Sequence, residues 1–500
     1  MHKYVLALDQ GTTGTTVLIF NHAGEVCGRA TSEFKQYYPA PGWVEHDAEE
    51  IWRTSLQVIH TALQHGGIQP EQIGSIGITN QRETVLLWER SSAKPVGRAI
   101  VWQDRRTAPL CDEIKQEGLE SKWHKRTGLL IDPYFSATKI HYMLQDAHTR
   151  ARAEAGELAC GTIDTWLLWK LSGGALHATD YSNASRTMLY NITRLEWDGE
   201  ILQRLDIPHA LLPEVKPSSG FFATTASEVF WGQEIPITGI AGDQQAALFG
   251  QGCHEPGMAK NTYGTGSFLL LNSGTEAVFS PERLLTTIAW KLGDEDVVYA
   301  LEGSIFVTGA AIQWLRDGLG IIEDAAETEA LATALDGNDD VYFVPALAGL
   351  GVPYWDPYAR GVLIGMTRAT TRHHLARAAL ESMAYQACDV VAAMQRTAHI
   401  ELQHLRADGG AVANRFLMQF QADMLGVPVD VPPVPETTAL GAAYLAGLGS
   451  GFWRSSSELA QRWHAAWHYT PAMERATAQR LQARWHQAVE RARDWSKDLD

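Results

Sequence analysis

The stretch YVLALDQGTTGTTVLIF, residues 4–20, decides the fold class. Its first part, Tyr4–Asp9, is short and apolar and is soon followed by a glycine, which predicts a buried strand. The polar segment Gln10–Thr15 predicts a tight loop, and the apolar run Val17–Phe20 predicts a second strand. The chain therefore opens with a strand, a Gly/Thr loop and a strand.

Helices and strands alternate after this opening. A helix is predicted from about Ala48 to His65, because Asp47 is a good N-cap and Gly66-Gly67 would end the helix. The apolar run Ile73–Ile78 predicts another buried strand. This mixture predicts an α/β protein.

The middle of the chain repeats the opening. Residues 258–272, MAKNTYGTGSFLLLN, again indicate a strand, a Gly-Thr loop and an apolar strand. Gly264-Thr265 corresponds to Gly11-Thr12, about half a chain length earlier. A repeat at this distance predicts two related domains that face each other, each presenting a Gly-Thr hairpin. The alternative is a supersecondary motif shared by chance.

The boundary between these domains is predicted where glycines cluster, from Gly250 to Gly257. The two domains are then residues 1–252 and 253–500. From about Pro471 onward, the segment is rich in Arg, Glu, Gln and Ala and predicts a charged surface helix.

The composition is that of a globular protein and excludes several classes. With 45% hydrophobic and 20% charged residues among 500, the chain is not mostly disordered. The formal charge of −17 argues against a dedicated nucleic-acid binder. We expect no membrane span and no signal peptide, because the apolar runs are too short. Five scattered cysteines without a CxxC pair predict reduced thiols in a cytoplasmic protein.

Asp9 and the first Gly/Thr loop carry the strongest local chemical signal. Glycine lets backbone amides approach phosphate oxygens, and the threonine hydroxyls add donors. Asp9 could meet Mg²⁺ directly or through water. The alternative is a polar β-turn with an Asp cap, but the second hairpin at Gly264–Gly266 favours a phosphate site. The chain has no GxxxxGK[ST] P-loop and no HRD or DFG motif of protein kinases.

Asp243 lies within GIAGDQQAALFG, residues 239–250, after a small-residue strand and before a helix-like run. An ordinary N-cap is one interpretation. The other is a general base, because a carboxylate is ionised at neutral pH and can accept a hydroxyl proton.

Arg82 and Glu83 follow the predicted strand that ends at Ile78. Adjacent side chains of a regular strand point to opposite faces, so both reach one ligand only from a turn. Taken alone, they suit an exposed charged loop, and Trp102 and Tyr134 suit buried aromatic positions. The combination of charged, amide and aromatic groups suits a small polyol.

Together these segments resemble the glycerol kinases of the FGGY carbohydrate kinase family, over nearly the whole chain. The resemblance is carried by ALDQGTT (7–13), PGWVEHD (41–47), GITNQRET (77–84), IDPYFSATK (131–139), DTWLLWKL (164–171), GIAGDQQAALFGQ (239–251), KNTYGTG (260–266), ALEGSIF (300–306), GLGVPYWDPYARG (349–361), DGGAVANRFLMQFQADMLG (408–426) and ETTALGAAYLAG (436–447).

The resemblance implies two α/β ATPase domains of the actin/hexokinase-like (ribonuclease H-like) type around a deep catalytic cleft. It also implies transfer of phosphate from Mg-ATP to glycerol, giving sn-glycerol 3-phosphate. Asp243 matches the general base and Asp9 the acidic residue near Mg²⁺. The positions that match glycerol contacts are Arg82, Glu83, Trp102, Tyr134, Asp243, Gln244 and Phe268. The positions that match nucleotide contacts are Thr12, Thr13, Gly14, Thr265, Gly309, Gln313, Gly410 and Asn414.

Two segments depart from the family pattern. Thr16 stands where relatives carry an arginine that contacts the nucleotide, so we expect a weaker phosphate contact there. The segment Val229–Ile235 lacks both the arginine of a bisphosphate-binding loop and the phosphorylatable histidine of other relatives. We expect neither mode of regulation.

Three alternatives share part of this pattern: a sister sugar kinase with a different acceptor pocket, an actin-like ATPase module without an acceptor, and a non-catalytic sensor. We also expect a homo-oligomer, either a dimer or a tetramer.

Overall fold

The computed structural model describes residues 3–497. The strands are β1 Tyr4–Gln10, β2 Gly14–Asn21, β3 Val26–Glu33, β4 Gln36–Tyr37, β5 Glu45–His46, β6 Ile73–Asn80, β7 Val85–Glu89, β8 Ala99–Ile100, β9 Leu158–Thr162, β10 Ala178–Asp180, β11 Tyr190–Asn191, β12 Glu196–Trp197, β13 Glu214–Lys216, β14 Ser219–Thr224, β15 Pro236–Gly242, β16 Met258–Tyr263, β17 Ser267–Gly274, β18 Leu285–Trp290, β19 Val298–Ile305, β20 Tyr342–Val344, β21 Val362–Ile364, β22 His404–Gly409, β23 Val429–Val431 and β24 Trp467–Tyr469.

The helices are α1 Ala48–Gly66, α2 Ala108–Gln116, α3 Glu120–Thr127, α4 Ser136–Met143, α5 Ala147–Glu154, α6 Ile163–Leu171, α7 Tyr181–Ser185, α8 Gly199–Arg204, α9 Asp243–Gly250, α10 Gly309–Gln313, α11 Glu327–Thr333, α12 Arg372–Ala398, α13 Arg415–Leu425, α14 Thr437–Gly449, α15 Ser456–Arg462 and α16 Arg475–Ala492. Short 3₁₀ turns lie at Pro70–Gln72, His209–Leu211 and Gly410–Ala413, and a π-helical turn lies at Trp314–Gly318.

Two large sheets have the same core topology. Their orders are β14-β15-β6-β1-β2-β3 and β18-β19-β17-β16-β22-β23-β24. In the first sheet, β1 pairs antiparallel with β2 and parallel with β6. In the second, β16 pairs antiparallel with β17 and parallel with β22. The predicted repeat and the predicted pair of α/β domains are confirmed in this arrangement.

Local signals placed the first elements correctly. Helix α1 begins at Ala48, and the Asp47 carboxylate accepts the backbone N–H groups of Glu49 and Glu50 at 2.9 and 3.1 Å. Gly67 ends the helix in the left-handed region, with φ 62°. Strand β6 runs two residues beyond the predicted Ile78.

The C-terminal helix α16 differs from the predicted surface helix. One face is buried in the core of the second sheet's domain, and Trp485 stacks on Tyr385 with 5.3 Å between ring centroids. The abundance of Arg, Glu and Gln describes only the exposed face, while Ala478, Ala488 and Val489 belong to the core.

Helix α14 comes from the C-terminal half but packs on the first sheet and on α9. A Cβ atom on Gly441 would lie 1.8 Å from the carbonyl oxygen of Ala246, so the two helices cross in backbone contact. The strands of the two sheets divide between Gly242 and Met258. Because α14 crosses this division, the boundary at 252/253 stays a prediction.

A smaller sheet, β4-β5-β8-β7-β9, stands beside the first one. The turn between β6 and β7 connects the two sheets, and it contains Arg82 and Glu83. No helix in residues 3–497 has the length and apolarity needed to cross a bilayer. The five cysteines are free thiols, as expected.

Candidate functional site

Arg82 and Glu83 lie in the turn between β6 and β7, and both side chains are buried. Glu83 has φ 62°, a left-handed conformation that non-glycine residues rarely adopt. This irregular backbone lets both side chains reach one cluster of charges. Their burial makes the interpretation as an exposed charged loop wrong, and their binding of one ligand stays a prediction.

Five charged side chains form what we call the ion-pair chain, in the order Asp243, Arg82, Glu302, Arg186, Glu83. Arg82 donates to both carboxylate oxygens of Glu302, with Nη1–Oε2 2.5 Å and Nη2–Oε1 3.1 Å. Arg186 donates through Nη2 to Oε1 of Glu302 at 3.0 Å and through Nε to Oε1 of Glu83 at 2.7 Å. Arg82 Nε lies 3.1 Å from Asp243 Oδ1.

Two members of the ion-pair chain, Arg186 and Glu302, are fully buried. Burial would raise the pKa of Glu302, but the charges of Arg186 and Arg82 lower it to about 2. Burial raises the pKa of Glu83 above its ordinary value, against the opposing charges of the same two arginines. Each buried charge thus has an opposite charge beside it, which is the condition for keeping it in the interior.

Asp243 is the first residue of α9, and Gly242 occupies the N-cap position. The carboxylate therefore does not cap the helix; its Oδ1 accepts the N–H of Gln244 at 2.6 Å, and 30% of the side chain stays exposed. Burial raises the pKa of Asp243, and the charges of Arg82 and Lys260 oppose this shift. A Cβ on Gly242 would lie 2.8 Å from Cδ of Arg82, so glycine makes room for the arginine.

Trp102 and Tyr134 pack edge to face, with 5.4 Å between ring centroids. Trp102 follows β8, and its Nε1 donates to Oγ1 of Thr12 at 3.0 Å, which joins this aromatic pair to the first hairpin. Buried Lys139 on α4 donates to the backbone carbonyls of Tyr134 at 2.9 Å and Trp102 at 3.4 Å. Burial lowers the pKa of Lys139 to about 7.

Gln244 reaches the second sheet through Lys260. The Lys260 ammonium is buried and donates to Oε1 of Gln244 and, at 2.8 Å, to Oγ1 of Thr262. Burial lowers the pKa of Lys260 to about 8, against the charges of Asp408 and Asp243. Phe268 lies opposite Thr262 in the pairing of β16 with β17, and Thr262 in turn bonds to Lys260.

The first hairpin places Asp9 and the threonines beside the cluster. Gly11 N–H donates to the Gly14 carbonyl at 2.9 Å and closes the turn, and Thr13 is exposed at its tip. No hydrogen bond or ion pair within residues 3–497 reaches the Asp9 carboxylate. Burial, and then the charge of Asp243, raises the pKa of Asp9 to about 7.

Thr16 lies on regular strand β2, directly opposite Asp9 in the pairing of β1 with β2. Its hydroxyl is 3.1 Å from the hydroxyl of Thr31 on β3. The Thr16 side chain is short and uncharged and is hydrogen-bonded to the neighbouring strand, so it places no positive charge near the hairpin. The expected weaker phosphate contact stays a prediction.

The second hairpin is joined to α10 by backbone hydrogen bonds. The N–H groups of Gly309 and Ala310 donate to the carbonyls of Gly264 and Thr265, each at 3.0 Å. A cavity of about 520 Å³ opens beside this hairpin. Five of the predicted nucleotide residues line it: Thr265, Gly309, Gln313, Gly410 and Asn414. The other three, Thr12, Thr13 and Gly14, belong to the first hairpin.

Four charged residues of the cluster were missed in the sequence: Arg186, Glu302, Lys139 and Lys260. Three of them lie in motifs that carry the resemblance: Glu302 in ALEGSIF, Lys139 in IDPYFSATK and Lys260 in KNTYGTG. The available signal was a single charged residue inside an otherwise apolar or small-residue segment.

The sequence matches a known protein family. The sequence model of the FGGY family of carbohydrate kinases matches in both of its parts, the N-terminal domain over residues 4–250 and the C-terminal domain over residues 259–450. The chain belongs to the FGGY family of carbohydrate kinases.

Relatives named glycerol kinase are similar in sequence to this chain over nearly their whole length. "Glycerol kinase 2" of Thermotoga maritima is 57% identical over 496 residues, which cover 99% of this chain and 100% of that protein. The glycerol kinase of Carboxydothermus hydrogenoformans is 58% identical over 494 residues, 99% of each chain.

Solved structures show the same fold. The glycerol kinase of Plasmodium falciparum, determined with ADP, superposes with a TM-score of 0.94 at 35% identity and 98% coverage of both chains. A gluconate kinase from Lactobacillus acidophilus superposes with a TM-score of 0.89 at 22% identity, covering 99% of this chain and 100% of the other. At that identity, the second likeness shows the fold alone.

Proposed function

We propose that this protein phosphorylates glycerol with ATP and releases sn-glycerol 3-phosphate and ADP. The observation that carries the proposal is the arrangement of the cluster: one partly exposed carboxylate, Asp243, is bonded to the buried Arg82–Glu83 pair beside two aromatic rings. The full-length likeness to proteins named glycerol kinase supports this acceptor among those of the family.

In this proposal Arg82 and Glu83 bind two hydroxyl groups of the acceptor. The Glu83 Oε1 atom already accepts from Arg186, which leaves Oε2 for a ligand hydroxyl. Arg82 uses its donors on Asp243, Glu302 and Gln245 and keeps one Nη2–H for the acceptor. Trp102, Tyr134 and Phe268 pack against its carbon atoms, and Gln244 adds an amide.

Asp243 orients the attacking hydroxyl and accepts its proton. Its exposed fraction lets an acceptor approach, while Arg82 holds Oδ1 at 3.1 Å and fixes the carboxylate. Phosphoryl transfer has a loose transition state, so positioning and charge neutralisation contribute more than strong base catalysis. The ribose and base of ATP occupy the 520 Å³ cavity, and the phosphates lie between the two hairpins.

The residues present fit a magnesium ion. Asp9 has no partner in residues 3–497, and its pKa is raised partly by Asp243, so a cation would be stabilised beside it. No cluster of three or more His, Cys, Asp or Glu ligands is found in the same range. This agrees with Mg²⁺ held by one or two carboxylates, water and phosphate oxygens. When bound, the ion neutralises phosphate charge.

The test is ADP release by the purified protein with Mg-ATP and a panel of acceptors: glycerol, a pentulose, gluconate and water alone. We expect release that depends on glycerol, with product identified as sn-glycerol 3-phosphate. Transfer to the pentulose or gluconate without transfer to glycerol would make the protein a sister sugar kinase. Equal release without any acceptor would make it an ATPase. A light-scattering measurement of mass tests the proposed dimer or tetramer.

A further inference from the structure

The acceptor residues are held in place by two buried residues that come from elsewhere in the chain. Arg186 follows α7, and Glu302 lies on β19 of the second sheet. Glu302 binds Arg82 through two hydrogen bonds, which fixes the plane of the guanidinium. Arg186 bonds to Glu302 and Glu83 together, so it sets the distance between them.

The geometry gives each of these two residues a directional role. Glu302 accepts one hydrogen from Nη1 and one from Nη2 of Arg82, and Gln245 accepts the second Nη1 hydrogen. The remaining donors of that arginine are Nε, which lies beside Asp243, and one Nη2 hydrogen. Arg186 donates a hydrogen bond to Oε1 of Glu83, so Oε2 of Glu83 remains available to a ligand hydroxyl. Its Cζ also lies 5.9 Å from the Tyr134 ring, so the same guanidinium contacts the aromatic pair.

We propose that Glu302 and Arg186 are positioning residues for the acceptor. They hold Arg82 and Glu83 in the orientation that binds two hydroxyl groups, and they do not touch the acceptor themselves. Glu302 lies in the C-terminal half, whereas the other residues of the proposed pocket, except Phe268, lie in the N-terminal half. The pocket is therefore complete only when the two sheets are positioned relative to each other as in this structure. The inference rests on the proposed function, since it concerns the affinity for glycerol.

The experiment compares Glu302→Gln with wild type in steady-state kinetics and in glycerol binding by calorimetry. Glutamine has nearly the same shape but accepts through one oxygen and presents an amide N–H₂ group to the arginines. The charge-assisted bonds lost here correspond to a rise of about 10- to 100-fold in the KM and Kd for glycerol. We expect the KM for ATP to change by less than about twofold, because the nucleotide cavity has no member of the ion-pair chain.

Glu381→Gln is the matched control. Glu381 is also a buried glutamate that accepts from an arginine, with Arg377 Nε at 2.7 Å, but it lies on α12 outside the ion-pair chain. We expect this variant to lose stability and to keep the wild-type KM for glycerol. A purely structural role of Glu302 would make the two variants behave alike.

Two further variants keep the test decisive. Glu302→Asp keeps the charge and should recover part of the glycerol affinity lost in Glu302→Gln. If Glu302→Gln does not fold, Arg186→Lys replaces it, since lysine keeps the charge but cannot bond Glu83 and Glu302 in one plane. We expect a several-fold rise in the KM for glycerol from this change as well.

A folded Glu302→Gln or Arg186→Lys protein with unchanged glycerol KM would overturn the positioning role, and so would equal increases in the KM for glycerol and for ATP. Failure of the proposed function is seen separately, because wild-type protein would then release no ADP in response to glycerol.

Discussion

At the scale of single residues, Asp243 combines partial exposure with a fixed orientation. We expect Asp243→Asn to lower kcat by roughly 10²–10⁴, the usual range for loss of general base catalysis, with a smaller effect on the KM for glycerol. Asn keeps the size of the side chain and a bond to Gln244 N–H. The measurement is glycerol-dependent ADP release over a range of both substrates.

Asp146→Asn is the control for this change. Asp146 caps α5 by accepting the Thr149 N–H at 2.8 Å, and Asn is an equally good cap. Its kcat should equal that of wild type. An Asp243→Asn enzyme within about threefold of wild type would reduce Asp243 to a binding residue.

Lys139 makes stability depend on pH. Its pKa is about 7 when folded and near the ordinary 10.5 when unfolded, so folding releases a proton between these values. Stability of the wild type should therefore rise with pH through this window, by at most about 1.4 kcal/mol per pH unit. Lys139→Met should lack this contribution.

The measurement is the difference in free energy of unfolding between wild type and Lys139→Met at pH 7, 8 and 9.5. We expect this difference to shift in favour of the wild type as pH rises. Lys122→Met, which removes a surface lysine beside Glu200, is the control. A difference that does not change with pH would mean that Lys139 keeps its proton in the folded protein.

At the scale of elements, the sequence predicted what depends on neighbours along the chain. Asp47, the apolar run after it and Gly67 together define α1, and each Gly-Thr hairpin follows from an apolar strand and a glycine. All of these signals lie within about twenty residues.

Contacts between distant segments were not predictable in this way. Glu302 binds Arg82 across 220 positions, and an isolated glutamate in a strand usually indicates an exposed face. Helix α14, TTALGAAYLAGLG, has no polar face, which predicts burial on all sides but not against which sheet. The residues that we propose to bind the acceptor were predicted from motifs, whereas the ion pairs behind them were not predicted and are seen only in the structure.

The loop from Val229 to Glu234 gives a prediction at this scale. Trp231 is 43% exposed there, with its ring 5.5 Å from that of His60, and Glu228 and Glu234 flank it. With no cation and two carboxylates, the loop should not attract a bisphosphate. We expect fructose 1,6-bisphosphate at millimolar concentration to change the rate by less than about twofold.

The assay for this prediction is ADP release at glycerol and ATP concentrations near their KM values. Half-inhibition below 1 mM would contradict it and would locate a basic site elsewhere on the surface. Potassium sulfate of equal ionic strength controls for salt effects, which screen surface charges.

At the scale of the whole molecule, α9 and α14 cross between the two sheets in backbone contact. Gly441→Ala would place a methyl group 1.8 Å from the Ala246 carbonyl, so the helices must separate. Overpacking of this kind costs about 1–3 kcal/mol or more, and each kcal/mol lowers Tm by about 2–4 °C in a protein domain of some 200 residues. We expect a lower Tm and altered KM values for both substrates.

Gly199→Ala is the matched control, because a Cβ at this first residue of α8 meets no atom within 4 Å. Its Tm should be equal to or slightly above that of the wild type. Equal melting temperatures for Gly441→Ala and Gly199→Ala would show that the helix crossing tolerates separation.

The position of α14 also has a consequence for synthesis of the protein. The first sheet is complete once Gly242 has been made, but the helix that covers one of its faces ends at Gly449. At about 5–20 residues per second, the ribosome needs on the order of 10–40 s to add this interval. During that time the nascent chain carries an apolar face without its cover. Early release of the first half would therefore favour aggregation, and chaperones that bind nascent chains should associate with it until the last quarter emerges.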